Sequence, residues 1–317
     1  MRSILKGGKD EIWPVKGGRK IIQDREMKYE GAIYRPPSEA DSLILQVTVG
    51  CSHNKCTFCG SYKDKKFRIK NFEEVKEDVD EARQFARFIK KVFIADGDAL
   101  IIPQKRLIPI IQLVRDAFPR LERIGIYGNT KSILKKSVED LKLLKDLGVG
   151  IIYLGVESGD QVVLDRVCKG TTLDKTAEAA KRVKDAGIIL SVTVLLGLGG
   201  VERSRQHAEE TGKFLTRIDP EYAGALSVIV VPGTPLAEQI KRGEFQVPSP
   251  YMLLEELEIM IQNTNPTHMF FASNHASNYL PVKAWLPEEK EKILKSIRYV
   301  LDQKDPSMLR PEFMRAL

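Results

Sequence analysis

The chain has 317 residues, 43% of them hydrophobic, with four cysteines and a formal net charge of +7. That length can bury one large α/β core or two smaller ones, and four cysteines are too few for a disulfide framework, which points to a reducing, cytoplasmic setting. Lysines and acids are interleaved, as in EEVKEDVDEAR and PEEKEKILK, so the positive balance reads as a solvated surface. Nucleic acid is an admissible partner but not the favoured one.

The start of the chain, MRSILKGGKDEIWPVKGG, has no apolar h-region, so no signal peptide is expected. No apolar run is long enough to span a bilayer. Residues 43–49 (LILQVTV) predict a strand that ends at a cysteine cluster. Residues 72–90 carry apolar side chains at helical spacing behind an acidic first half, which suits a helix start. A strand follows over 92–95, then the turn DGD. Pro103 opens a helix over 103–118. A strand over 123–127 leads to a helix over 132–147 closed by Gly148, and a strand over 150–155 to a helix over 173–186 capped by Gly187. The strand over 188–196 ends in GLGG, a helix spans 204–218, and the strand over 222–231 ends in PGTP. The remainder reads as helical, with helices over 250–263 and 288–303 and a polar, aromatic loop, FFASNHASNYLP, between them.

Six strand-to-helix units in succession imply a parallel sheet with right-handed crossovers, either doubly wound or closed toward a barrel. In both, the reactive edge is the carboxyl end of the strands. The cysteines, residues 96–98, 128–129, 157–159, 197–200 and 232–235 all fall at those ends. One face thus collects thiols, acids and glycine turns.

Cys51, Cys56 and Cys59 stand at C-x4-C-x2-C. Thiolates at such density select zinc, copper(I) or an iron–sulfur cluster. A structural zinc site is closed by four ligands, and only His53 could complete one locally. Iron–sulfur cubes take four cysteines as a rule, so three leave one iron open to a ligand that is not protein. Cys168, in LDRVCKG, is read as a partly buried thiol outside the set.

The compact triple cysteine after the first strand, with Phe58 just before its last member, resembles that of the radical S-adenosylmethionine (SAM) enzymes. Their usual spacing is C-x3-C-x2-C, one residue shorter in the first gap. ADGDAL is similar to the family's GGE motif, which holds the amino group of SAM: Gly97 matches the second glycine, with Asp96 and Asp98 flanking it. GVESGD is similar to the segment that hydrogen-bonds the ribose, which makes Glu157 and Ser158 the candidates. LLGLGG is similar to the glycine motif against which adenine packs, at Gly197, Leu198 and Gly199. VVPGTPL, with Val231, resembles the corresponding strand end in the branch of oxygen-independent coproporphyrinogen oxidases. Tyr62 beside the cysteines, Asn129 at the third strand end and Arg203 after the fifth complete the candidate cofactor-binding residues.

The resemblance covers about residues 42–236. It implies an α/β fold, a partial (β/α)6 TIM-like barrel of parallel strands over 42–236, with an N-terminal extension (1–41) and a helical C-terminal segment (237–317). It implies a 4Fe-4S cluster on Cys51, Cys56 and Cys59, and SAM as the ligand of the open iron. An electron from a donor such as ferredoxin or flavodoxin would cleave SAM to methionine and a 5'-deoxyadenosyl radical, which abstracts hydrogen from a small-molecule substrate. With one cysteine left over, auxiliary clusters and methylthiolation are not expected, and the stretch before the first strand is short for a cobalamin domain. In the 270–281 loop, His275 is the candidate proton donor or acceptor and Tyr279 the candidate hydrogen-atom relay. His207 is expected on a helix surface and His268 between loop and strand. Trp13 and Tyr34 are expected to cover the barrel from the extension. The competing reading is a metal-stabilised, non-catalytic protein that binds nucleic acid through its basic surface.

Overall fold

A computed structural model describes residues 27–316. Trp13 lies outside the described residues. In chain order the elements are β1 (Leu43–Gln46), β2 (Thr48–Val49), β3 (Arg68–Ile69), α1 (Phe72–Ala82), β4 (Lys91–Ala95), α2 (Gln104–Ala117), β5 (Arg123–Gly128), α3 (Thr130–Leu134), α4 (Val138–Asp146) and β6 (Val149–Glu157). They continue with α5 (Gln161–Arg166), α6 (Leu173–Asp185), β7 (Ile189–Leu196), α7 (Gly200–Ile218), β8 (Tyr222–Ser227), α8 (Pro235–Lys241), α9 (Pro250–Gln262), β9 (Met269–Ala272), β10 (Lys283–Leu286) and α10 (Lys290–Gln303).

Eight strands form one sheet in the order β1-β4-β5-β6-β7-β8-β9-β10. Pairing is parallel from β1 to β9, and β10 runs antiparallel to β9. This is the expected partial barrel of parallel strands, and the C-terminal segment adds to it. Residues 237–317 were expected to be helical; they also supply β9 and β10. Those two strands are four residues each, too short for a pattern of alternation to stand out from the flanking loop.

The strand expected over 43–49 is divided. After Gln46 the chain leaves the main sheet, and Thr48–Val49 pairs instead with β3 in a two-stranded antiparallel ribbon. That ribbon is the base of the cysteine loop. The helix expected over 132–147 is also two helices, because Ser137 takes a hydrogen bond from the Asp140 amide at 3.0 Å and starts a new one.

Strand β7 shows the layering. Leu190, Val192, Val194 and Leu196 are buried beneath the helices, while Ile189, Ser191, Thr193 and Leu195 face the concave side half-buried. The main core lies between the sheet and its helices. A smaller cluster of Ile33, Ile44, Phe93, Ala95, Ile151 and Tyr153 fills the concave side under β1 to β6. Ile33 brings the described part of the N-terminal extension into the barrel. Among the described residues no helix is long and apolar enough to cross a membrane.

Candidate active site

The cysteine loop is fixed at both ends and across its middle. Its base is the β2–β3 ribbon. The Thr57 amide donates to the Val167 carbonyl at 3.0 Å, and the Leu236 amide donates to the Thr57 carbonyl at 3.0 Å. Asn54 Nδ2 donates to the Tyr62 carbonyl at 2.7 Å. Cys51, Cys56 and Cys59 are half-buried free thiols on this one loop. Burial pushes the Cys56 thiol up to about 11; the Lys169 ammonium opposes this, and Glu157 and the sulfurs of Cys59 and Cys51 add to it. Among the described residues no three His, Cys, Asp or Glu side chains converge on a point as they would for a single ion; a cubane spreads its thiolates over separate irons.

His53 does not join the thiols. Its Nε2 is 2.7 Å from the Cys168 carbonyl oxygen, and its ring lies where a β-carbon on Gly170 would be, 2.5 Å away. Cys168, expected to be partly buried, is exposed. It sits just past the end of α5 with φ of 54°, a turn that sends its side chain outward and its carbonyl toward His53.

The next residue, Lys169, is a functional candidate that the sequence reading missed. Its Nζ lies 2.7 Å from Glu157 Oε1, and both side chains are 13% exposed. Burial alone would depress this ammonium; the Glu157 carboxylate, then the Cys56 and Cys51 sulfurs, outweigh it and hold it above its usual range. A cation is thus stored between a carboxylate and the thiols. The only signal in the sequence was its neighbour, the leftover cysteine.

The acids of ADGDAL brace the loop. Asp96 is fully buried. Its Oδ2 accepts from Gln46 Nε2 at 3.1 Å, the Gly50 amide at 3.1 Å and Lys65 Nζ at 2.8 Å. Among the described residues its Oδ1 has no hydrogen-bond partner. Asp98 is equally buried and accepts from Ser52 Oγ and from Asn129 Nδ2, the latter at 2.7 Å. Burial pushes its carboxyl up, against the pull of those hydrogen bonds. Asp98, expected to face the amino group of SAM, bonds here to Ser52, the residue after Cys51, and to Asn129, the N-cap of α3. Gly97 between them is a contact point: a β-carbon there would lie 2.5 Å from the Tyr62 ring and 3.1 Å from the Cys51 β-carbon. Tyr34 meets Tyr62 edge-on at 5.5 Å between ring centroids, so this part of the extension reaches the cysteine loop.

Phe58 packs with Leu198, Val163, Val167, Val228 and Leu236 in a separate apolar cluster. This cluster ties the cysteine loop to the glycine turn after β7. Val231 also touches the loop, its Cγ1 2.5 Å from where a β-carbon on Gly60 would be. The turn itself needs glycine: Gly197 has φ of +82°, and a β-carbon would meet Leu253 at 2.8 Å. Gly199 lies as close to His207, 2.9 Å by the same measure.

Several expected ligands are occupied by protein. Ser158 is buried, its Oγ 2.9 Å from His207 Nδ1. His207, expected on a helix surface, is fully buried. Nε2–H donates to the Leu195 carbonyl at 2.9 Å, leaving Nδ1 to accept from Ser158. Burial pushes this imidazole down to about 4, so its 4.0 Å approach to Glu256 is not an ion pair at neutral pH. The helical period places residue 207 beneath the turn; its polarity alone suggested the surface. Arg203 pairs with Asp160, the N-cap of α5, at 2.8 Å, and is not an open cation.

His275 and Tyr279 lie on the β9–β10 connection, away from these contacts. His275 Nδ1 accepts from the Ser277 amide at 3.1 Å. The Tyr279 hydroxyl donates to Glu312 and accepts from Arg315 Nη1, the latter at 2.7 Å. Ser277 and Asn278 bond Ser227 at the end of β8. The connection meets the end of β8; the His275 ring bonds within it and the Tyr279 hydroxyl bonds Glu312 and Arg315, and neither side chain bonds the cysteine loop among the described residues. His268 stacks on Trp285 at 4.5 Å just before β9.

The donor set, three thiols on one loop with Gly97 packed against Cys51 and Tyr62, fits a cluster held by three thiolates. The family model described as the Radical SAM superfamily matches residues 45–215. An uncharacterized methyltransferase from Pyrococcus horikoshii is 27% identical over 198 residues, 62% of this chain and 41% of that protein. The heme chaperone HemW of Bacillus subtilis is 23% identical over 194 residues, 59% of this chain and 50% of that protein. The chain therefore spans half or less of these curated relatives. Among solved structures, coproporphyrinogen III oxidase (HemN) from Escherichia coli, itself described as a radical SAM enzyme, superposes with a TM-score of 0.52 at 16% identity, over 70% of this chain and 51% of that one. At that identity the likeness shows the fold.

Proposed function

The chain belongs to the radical SAM superfamily, whose enzymes use a 4Fe-4S cluster and SAM, and on that footing we propose that it cleaves SAM reductively to initiate hydrogen abstraction from a small-molecule substrate. The observation that carries this is the grouping of three half-buried thiols on one loop, with Lys169 and Glu157 beside them. When bound, the cluster and SAM supply a one-electron cleavage that yields a carbon-centred radical.

The chain's own residues bind, orient and exclude water. Cys51, Cys56 and Cys59 hold the cluster. Because burial keeps Cys56 protonated at neutral pH, assembly releases protons as the thiolates are ligated. Asp98 and Asn129 fix Ser52, and with it the start of the loop. Lys169 would offer its cation to the carboxylate of SAM, and Glu157 would accept from the ribose hydroxyls. Leu198 and the turn at Gly197 offer a flat wall to the nucleoside. Phe58 and Tyr62 keep water from the sulfurs.

The reductant reaches this site from outside. Residues 51–70 hold six Lys or Arg against a single acid, Asp64. Lys65, Arg68 and Lys70 are paired within the fold, while Lys55, Lys63 and Lys66 are exposed. A small acidic redox protein of the ferredoxin or flavodoxin kind suits that surface. The relatives carry names as different as methyltransferase and heme chaperone, so the family sets how the reaction starts and leaves the substrate open.

The test is anoxic reconstitution. Iron and sulfide near about four per chain, followed by 5'-deoxyadenosine and methionine on adding SAM and dithionite, is the expected result. A colourless zinc protein with salt-sensitive RNA binding would overturn it in favour of the nucleic-acid reading.

A further inference from the structure

Glu256 lies on α9, beyond the residues that the family model matches. Its side chain is fully buried. Oε2 accepts from the Gly197 amide at 2.6 Å, and Oε1 accepts from Ser204 Oγ at 2.6 Å. A carboxylate is a costly group to bury without paired charge, and no Lys or Arg pairs with Glu256 among the ion pairs of the described residues. Among the described residues its carboxyl is met by an amide, a hydroxyl and, at 4.0 Å, the His207 ring. An apolar side chain would fill the space beside Leu253, Leu254 and Leu257 of the same helix, all buried, without that cost. What the carboxylate does that an apolar group could not is hold one specific N–H, that of the first glycine in GLGG.

Gly197 needs holding. Its positive φ is a conformation that glycine leaves as readily as it enters, so the turn is not locked by its own backbone. Glu256 locks it from outside. His207 of α7 does the same for Ser158 at the end of the neighbouring β6, and its other nitrogen holds the Leu195 carbonyl of β7 itself. Both strand ends that face the proposed nucleoside are therefore pinned from the helical layer behind the sheet.

Resting on the SAM-binding reading above, we infer that Glu256 is a positioning residue that presets the turn at Gly197 to receive the nucleoside half of SAM. It touches neither the thiols nor the nucleoside, and acts through the Gly197 amide. A conservative replacement, Glu256→Gln, can still accept from Gly197 and donate to Ser204; Glu256→Ala can do neither.

The test splits SAM into its halves. On the anoxically reconstituted protein, affinity for 5'-deoxyadenosine reads the nucleoside side, and the change that methionine causes in the cluster's electron-spin spectrum reads the other. We expect Glu256→Ala to lose at least about ten-fold in 5'-deoxyadenosine affinity with methionine binding unchanged, and Glu256→Gln to recover most of the loss. Unchanged nucleoside affinity in Glu256→Ala, or equal loss of both halves, overturns the inference. Wild-type protein that binds neither half overturns the SAM reading itself, and this inference with it. Should Glu256→Ala not fold, hydrogen exchange on the wild-type protein decides: the Gly197 amide is expected to be protected before any ligand is added, and fast exchange there overturns the proposal.

Discussion

Lys169 Nζ is held 2.7 Å from Glu157 Oε1, beside the sulfurs of Cys56 and Cys51. The pair is mutually neutral, and on the proposed reading each partner would serve a different part of SAM, the cation its carboxylate and the acid its ribose hydroxyls. The cation should therefore matter for affinity and not for cluster assembly. Lys169→Met is expected to weaken SAM binding by at least about ten-fold, roughly 1.4 kcal/mol, with iron content unchanged. Lys169→Arg should keep most of the affinity. Equal affinity in Lys169→Met, measured by equilibrium binding to the reconstituted protein, would remove Lys169 from the site.

The ligand set is tested by single cysteine replacements. Cys51→Ala, Cys56→Ala and Cys59→Ala should each fail to retain a stable cluster, seen as loss of the brown absorbance and of bound iron. Cys168→Ala should keep both, since that thiol is exposed and only its backbone carbonyl meets the loop, through His53. Loss of iron on changing Cys168 would show that the ligand set is misassigned.

Asp98 connects Ser52 to Asn129. Removing it takes the buried acceptor from Ser52 Oγ and Asn129 Nδ2 and leaves them only their own longer contact of 3.3 Å, a cost of about 1–3 kcal/mol for a group left without its acceptor. Asp98→Ala should lower the melting temperature of the cluster-free protein by several degrees and weaken SAM binding as the loop loosens. Ser52→Ala should reproduce a smaller part of both effects. A melting temperature that does not move in Asp98→Ala would mean that the hydrogen bonds at Asp98 contribute nothing to holding the loop.

The parallel β/α core was legible because its signals are local. Strand runs such as 188–196 alternate cleanly with helices that start at caps and end at glycines, and the reactive residues fall at strand ends by topology. What escaped depended on long-range partners. Nothing near Lys169 in sequence says that Glu157 awaits it, and nothing near Glu256 points to a glycine amide 59 positions earlier. His207 was misplaced because polarity was weighed above helical phase. Asp98 and Ser158 follow β4 and β6, and Arg203 lies in the first turn of α7, but each already has a protein partner, which only the fold could reveal.

The exposed Lys55, Lys63 and Lys66 predict a difference between two reductants. Reversing all three to Glu should slow cleavage of SAM driven by reduced flavodoxin at low salt, by ten-fold or more on the scale of electrostatic steering, and should leave dithionite-driven cleavage unchanged. Added salt should slow the wild-type reaction with flavodoxin and narrow the gap. A triple variant that flavodoxin reduces as fast as wild type would move the docking surface elsewhere.

The buried pair behind the glycine turn sets a pH signature of stability. Burial pushes Glu256 from 4.5 up to about 7, with the Ser204 and Gly197 hydrogen bonds opposing. The folded protein thus binds this proton before the unfolded chain does, and Glu256 costs stability that grows as pH rises from 4.5 to 7. His207 is pushed from 6.5 down to about 4. The unfolded chain binds that proton first, so stability is lost as pH falls from 6.5 to 4. Each effect is on the order of 3 kcal/mol at full extent, and between pH 4.5 and 6.5 they oppose each other. Wild-type melting temperature should show little net slope from this pair in that window. Glu256→Gln removes one limb, so its stability should fall more steeply than wild type below pH 6.5; His207→Gln removes the other, so its stability should rise relative to wild type as the solution is acidified. Parallel pH profiles for wild type and both variants would show that neither group titrates differently on folding.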